Sequence, residues 1–314
     1  MVTEGGVGQL QIEAAVRNLV VDRLSASVAG WFAAAGIDCM LIKGPVIADW
    51  LYPDVVRSYA DSDLLVARPD WERAIAVLVE NGFRDTLGPM GHPRMESLAG
   101  TSFVRGQEHV DLHCTLAGLD AAPEEVWRVL RAGADEQRVG GRRLAVPSRA
   151  ATLMHLALHA AHHGGLHKPA EDLRRGLTAA GAETWREAAE LAARLDGVPA
   201  FASGLRHSEQ GAELARQLDL DQVGSVRLDL RASGVPIAEG LNELLRPDLS
   251  WSERVALVSA ELFPKPSFMR WWTPLADRGP LGLAAAYARR WIWLAVKLPA
   301  GVAELRRVRR LRRT

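Results

Sequence analysis

Residues 61–66 read Asp61-Ser62-Asp63-Leu64-Leu65-Val66, two acids one residue apart at the mouth of an aliphatic run. A short continuous apolar run of this kind reads as a buried strand. Because side chains alternate along a strand, Asp61 and Asp63 point to the same side, with Cα atoms roughly 7 Å apart. Two bare carboxylates in a partly buried place repel each other, and a hard cation that takes oxygen ligands relieves the repulsion. Mg²⁺ is the natural occupant. A second aliphatic run, Val110-Asp111-Leu112, offers a third acid. Asp111 is either the outward-facing position of a half-buried strand or a further ligand. Three carboxylates on neighbouring strands can hold two divalent ions about 3.5–4 Å apart, an arrangement suited to transfer at phosphorus. Aspartate pairs also cap turns, so the spacing alone leaves a structural role open.

The flanking sequence predicts a mixed domain. Ile12, Val16, Leu19, Val20, Leu24, Val28 and Phe32 recur at three- and four-residue steps, which predicts a helix stopped by Gly36. Cys39 to Ile42 reads as a buried strand ending at Lys43-Gly44. Trp71, Ile75, Leu78 and Val79 predict a helix over 70–81 with Asp70 as N-cap and Gly82 as its stop. Strands follow over 83–87, 101–105 and 109–114, with a turn at Gly106, and Gly140-Gly141 predicts another hairpin before a strand over 142–146. Past Pro147 every long segment has helical period: Ser148 is the N-cap of the first, and further helices are expected over 183–195, 200–218, 237–245 and 252–262. The expectation is an α+β protein with two domains: a small mixed-sheet domain over 1–147 and a helical domain over 148–314.

Composition narrows the class. With 314 residues, 48% apolar and 24% charged, and 38 Lys+Arg against 38 Asp+Glu, disorder, collagen-like repeats and a disulfide scaffold are excluded. Cys39 and Cys114 have no second cysteine nearby, which fits a reducing cytoplasm. No secretory signal opens the chain. The most apolar long stretch, Leu281 to Val302, contains Arg289, Arg290 and Lys297, which argues against a transmembrane segment. The balanced total hides an asymmetry: residues 270–314 hold eleven Lys/Arg against Asp277 and Glu304, a net of +9. The run Arg306, Arg307, Arg309, Arg310, Arg312 and Arg313 is either a solvated helix end or a docking site for a protein or nucleic-acid partner, with anionic lipid a further candidate.

Taken in order, Leu41-Ile42-Lys43-Gly44, Leu51-Tyr52-Pro53, Arg57, Asp61-Ser62-Asp63-Leu64-Leu65-Val66 and Val110-Asp111-Leu112-His113 resemble the nucleotidyltransferases of the polymerase-β superfamily. More narrowly the set is similar to a bacterial branch of uncharacterised nucleotidyltransferases. The resemblance covers roughly residues 10–185 and takes in the helix with His155, His159 and His163 and the segment Glu171-Asp172-Leu173. One departure from the wider superfamily is Lys43-Gly44, where Gly-Ser or Gly-Gly is usual. The resemblance implies that Asp61, Asp63 and Asp111 ligate two Mg²⁺ or Mn²⁺ ions. It also implies transfer of a nucleoside monophosphate from an NTP, ATP first among them, to an acceptor: a small molecule, peptide, protein or RNA. Asp111 is also a candidate to draw the proton from the acceptor.

Residue chemistry is compatible with these roles. Gly44 lets the backbone come close to phosphate oxygens, or simply makes a turn before Pro45. Lys43 and Arg57 neutralise phosphate charge or pair with an aspartate. His113, His155 and His159 are expected to support the site from behind. His155, His159, His162 and His163 share one helix face, without the HExxH or His-Asp pattern of a zinc or phosphohydrolase site. Trp271, Trp272, Trp291 and Trp293 stand among arginines, where packing outranks base stacking or a membrane surface. The alternative function is a catalytically silent module of the same fold that docks a partner through its basic tail.

Overall fold

The computed structural model describes residues 4–86, 100–163, 166–220, 223–233, 235–247 and 249–311. Arg312 and Arg313 of the basic run lie outside the described residues. The chain forms two compact units, the first of Met1–Thr86 and Ala99–Val223, the second taking in Gly224–Thr314.

The first unit begins with helix α1 (Glu4–Ala34), followed by β1 (Cys39–Leu41), α2 (Pro45–Leu51), β2 (Ser62–Val66), α3 (Trp71–Glu80), β3 (Arg84–Asp85), β4 (Gly100–Arg105) and β5 (Glu108–His113). Then come α4 (Pro123–Ala132), β6 (Asp135–Val139) and β7 (Arg142–Val146). The strands make one seven-stranded mixed sheet in the order β3-β4-β5-β2-β1-β7-β6. β2 runs parallel to β5 and antiparallel to β1, and β1 runs parallel to β7. Period-two alternation sorts β2 between the two faces. Leu64 and Val66, with Val110, Leu112 and Phe103 of the neighbouring strands, enter a core built with Leu24, Val28 and Phe32 of α1 and Ala74 and Leu78 of α3. Ser62 turns to the same side and accepts a hydrogen bond from Ser25 Oγ of α1 at 2.8 Å. Asp63 is therefore left to the opposite face, with Asp61 just ahead of the strand.

Several local expectations hold. Gly36 and Gly82 end their helices with φ of 69° and 84°, and Gly106 turns the β4–β5 hairpin with φ of 60°. Ser148 Oγ accepts from Ala151 N at 3.2 Å. Asp70 does not cap α3: it sits in a 3₁₀ turn over Arg68–Asp70 and its carboxylate accepts from Arg73 instead, at 2.6 Å. The segment over 200–218 is two helices, because Ser208 begins a new one by accepting from Gly211 N. Helix α4 carries a start signal in Pro123, Glu124 and Glu125, ahead of the buried Val126, Val129 and Leu130.

The change of texture at Pro147 marks the end of the sheet. Helices α5 (Arg149–His163), α6 (His167–Ala179), α7 (Ala182–Arg194), α8 (Val198–Leu205) and α9 (Glu209–Gln217) stay in the same compact unit. α5 is buried nearly all round, from Ala150 to Ala161, as expected of a helix at the centre of a bundle. Gly204 of α8 makes that packing possible, since a Cβ there would lie 1.8 Å from the carbonyl oxygen of Ala157.

The second unit contains α10 (Val226–Ala232), α11 (Pro236–Leu244), α12 (Trp251–Leu262), α13 (Pro266–Trp272) and α14 (Gly279–Leu311). Leu305 and Val308 of α14 pack on Leu230 and Ala238, while Ala286 packs on Phe268 and Met269. α12 starts at a complete capping box between Ser250 and Glu253. No described helix is long and apolar enough to cross a membrane.

The α5–α8 contact yields a direct test. Gly204→Ala should lower unfolding stability by ~3 kcal/mol, because backbone faces backbone and neither helix can relax without separating. Urea denaturation measures it, and a loss below ~0.5 kcal/mol would show that the helices are not in close contact.

Candidate active site

Parallel pairing fixes the acids. The register sets Asp63 opposite Asp111 and Leu65 opposite His113, so Asp63 and Asp111 share a sheet face and His113 stands two residues further along it. One donor atom each from Asp63, Asp111 and His113 lie within 4.8 Å of one another. Asp63 is buried, and its Oδ1 accepts from Lys43 Nζ at 2.9 Å with His113 Nε2 at 3.2 Å. Burial alone would push this carboxyl up. Lys43, and then His113, outweigh burial and hold it well below the ordinary carboxylate range. Lys43 is raised by the same pairing, its burial offset by Asp63, so both partners carry charge. Ser102 Oγ of β4 donates to Asp111 Oδ1 at 2.6 Å, which orients that carboxylate. Asp61 precedes β2, and its carboxyl is pushed up by burial and then by the charges of Asp63 and Asp111.

The donor chemistry fits a divalent cation. Two carboxylates supply hard oxygens and His113 an imidazole nitrogen, a set compatible with Mg²⁺ or Mn²⁺. The repulsion felt at Asp61 is what a bound cation would relieve.

Gly44 stands between β1 and α2 with φ of 64°, a conformation that favours glycine, and a Cβ there would lie 3.4 Å from the Tyr59 ring. Arg57 takes the ion-pair alternative, with Asp172 of α6 as partner rather than a strand acid. Its Nε and Nη2 donate to the two carboxylate oxygens at 2.7 and 2.5 Å, and both side chains are buried. Tyr52 OH donates to the same carboxylate at 2.6 Å. Arg57 Nη1 is buried without a hydrogen-bond partner among the described residues.

Histidines of α5 pack ring against ring. His155 is pulled down to about 3, first by burial and then by Lys43, and His159 to about 2 for the same two reasons in the same order. The His155 and His159 rings meet edge to face at 6.2 Å, and those of His159 and His163 lie 4.7 Å apart. His155 and His159 are thus held toward the uncharged form, with Lys43 contributing to both shifts.

Two groups escaped the sequence. Lys168, at the start of α6, is pulled below the ordinary amine range by desolvation and by Arg57, with Asp61 and Asp63 acting the other way. The loop leading to Asp61 is held by polar residues of α1: Gln11 Oε1 accepts from Val56 N at 2.7 Å, Asn18 bonds Arg57 O and Tyr59 N, and Asp22 accepts from Tyr59 OH at 2.8 Å. Gln11, Asn18, Asp22 and Ser25 fall at helical spacing, a polar stripe that was legible but needed a partner to have meaning.

The profile of a family described as "Uncharacterised nucleotidyltransferase" matches residues 9–233. No curated protein matches. Among solved structures, the antibiotic-resistance factor ANT(2'')-Ia is similar at 19% identity over 57% of this chain and 92% of its own, with a TM-score of 0.40. The lincosamide antibiotic adenylyltransferase LnuA, in its lincomycin-bound form, is similar at 16% identity over 49% and 94%, with a TM-score of 0.34. An antigenic nucleotidyltransferase-like protein from Paracoccidioides brasiliensis is similar at 15% identity over 65% and 98%, with a TM-score of 0.35.

Two outcomes follow from the buried pairs. Asp172→Ala leaves the Arg57 charge uncompensated and should cost ~3–5 kcal/mol in urea denaturation, whereas Tyr52→Phe should cost ~1–3 kcal/mol. Equal, small losses would contradict the pairing. His155 is held neutral when folded, its pKa at about 3 against an ordinary 6.5, so the unfolded chain binds the extra proton between those values. Stability therefore falls as pH drops from 6.5 toward 3, and His155→Leu should flatten the urea-midpoint profile there.

Proposed function

We propose, from the premise that this chain belongs to the uncharacterised nucleotidyltransferase family and is a nucleotidyltransferase, that it moves a nucleoside monophosphate from an NTP, ATP in the first instance, to an acceptor nucleophile at the Asp61–Asp63–Asp111 site. The observation that carries this reading is the pairing of Asp63 with Asp111 on adjacent parallel strands, with His113 beside them. Asp63 and Asp111, with Asp61 next to them, would hold Mg²⁺ or Mn²⁺, two ions in the full complement. When bound, the metal supplies charge neutralisation on the phosphates.

The chain's own residues do the rest. Asp111, oriented by Ser102, takes the proton from the acceptor as its nucleophilic atom forms a bond to the α-phosphorus. The bond from that phosphorus to the bridging oxygen breaks, and pyrophosphate leaves with the electron pair. Lys43 is held at Asp63 before substrate arrives and meets the incoming phosphate charge, while Gly44 lets the backbone approach the same oxygens. Lys168 adds a second cation on the side of Asp61. Arg57 is bound to Asp172 and positions α6, and with it Lys168, over the carboxylates. His155 and His159 support Lys43 as uncharged neighbours. The acceptor is a small molecule, a peptide, a protein side chain or an RNA end.

The test is label transfer. Protein incubated with α-³²P-labelled NTPs, Mg²⁺ and a cell extract should yield a labelled product and pyrophosphate, and the double change Asp61→Ala and Asp63→Ala should lower the rate about 100-fold or more. Equal labelling by wild type and variant would reject the assignment. Chelation should abolish transfer and Mg²⁺ or Mn²⁺ restore it; transfer unaffected by chelation would remove the metal from the account.

A further inference from the structure

Helix α14 is 33 residues long, and among the described residues its buried positions lie along one side. Ala286, Arg290, Gly301, Leu305 and Val308 are buried, and Arg290 is paired with Glu261. Leu281, Ala285, Ala288, Ile292, Val296 and Pro299 follow one another at steps of three and four and form a single outward stripe without a charge. All six are exposed, and Leu281, Ile292 and Val296 reach 85%, 65% and 68%. The same steps continue through Ala303 to Arg306 and Arg310, both exposed, so the stripe passes from aliphatic to basic. Arg289 stands at its edge, exposed, its guanidinium 5.9 Å from the Trp272 ring centroid. On the adjoining flank Trp291 and Leu298, 42% and 45% exposed, also line a cavity of about 750 Å³ whose wall includes Trp271, Trp272 and Leu257. The apolar surface therefore runs inward from the stripe.

We propose that this face of α14 docks the protein on an anionic lipid bilayer, lying in the plane of the interface. Charge complementarity selects this occupant. Residues 270–314 carry a net +9, which an anionic leaflet attracts, and aliphatic side chains between the cations enter the boundary between headgroups and acyl chains. A nucleic acid matches the arginines but leaves Leu281, Ile292 and Val296 in water. A second copy brings two faces of the same strong positive charge together. No described helix can cross a membrane, so the contact is a surface one. The stripe lies wholly in the second unit and uses none of the carboxylate-site residues.

Full-length protein should co-sediment with vesicles of about one-third phosphatidylglycerol in phosphatidylcholine, about tenfold more than with phosphatidylcholine alone, and less as salt rises. Two double variants, Ile292→Asp with Val296→Asp and Arg306→Glu with Arg310→Glu, should each lower the bound fraction about tenfold while keeping the wild-type circular dichroism and melting temperature. Both pairs are surface changes, so either one alone suffices should the other fail to fold. No pelleting, or equal pelleting on neutral and anionic vesicles, would overturn the proposal. So would a dimer in light scattering that the Ile292 and Val296 changes abolish, or RNA binding that responds to the arginine pair while vesicle binding does not.

Discussion

The first unit is organised around a repulsion. Asp63 and Asp111 are brought to one face of the sheet, with Asp61 just ahead of β2, by a register that the core on the other face enforces. Shifting β5 by one residue would bury Asp111 against α1 and expose Val110 and Leu112, which the apolar cluster forbids. The hydrophobic effect thus holds like charges together that Coulomb forces alone would separate. Lys43 answers part of that charge from the end of β1, and the carboxyl of Asp61 is pushed up, first by burial and then by the charges of Asp63 and Asp111.

The second constraint is the frame around the acids. Residues 52–59 carry no regular structure, yet they are tied on one side to the polar stripe of α1 and on the other to Asp172 of α6 through Arg57 and Tyr52. Ion pairs of this kind contribute little net stability when weighed against apolar replacements, but breaking one partner is costly. Their use here is positional: they fix the approach to Asp61 and tie it to α6, the helix that carries Lys168.

Much of this was legible in the sequence where the signal was local. The alternation in Asp61-Ser62-Asp63-Leu64-Leu65-Val66, the hairpin glycines at 106 and 140–141 and the helical period of α1 each reflect short-range rules. The convergence of Asp111 came from the order of motifs, since no periodicity states which strands are neighbours. What escaped was non-local. Asp172 was marked by the motif order but its pairing with Arg57 was not, and Ser102 looks like an ordinary surface polar until the fold sets it beside Asp111. The break between α8 and α9 was hidden because apolar periodicity runs on across Ser208, and the unit boundary near Val223 has no change of composition to mark it.

Cation binding at the paired strands tests the central claim most directly. Titration of Mn²⁺ into the full-length protein with a non-hydrolysable NTP analogue, followed by electron paramagnetic resonance, should show bound ions that Asp63→Asn and Asp111→Asn each remove or weaken by about tenfold or more. Mn²⁺ bound with unchanged affinity and number in both variants would contradict the account.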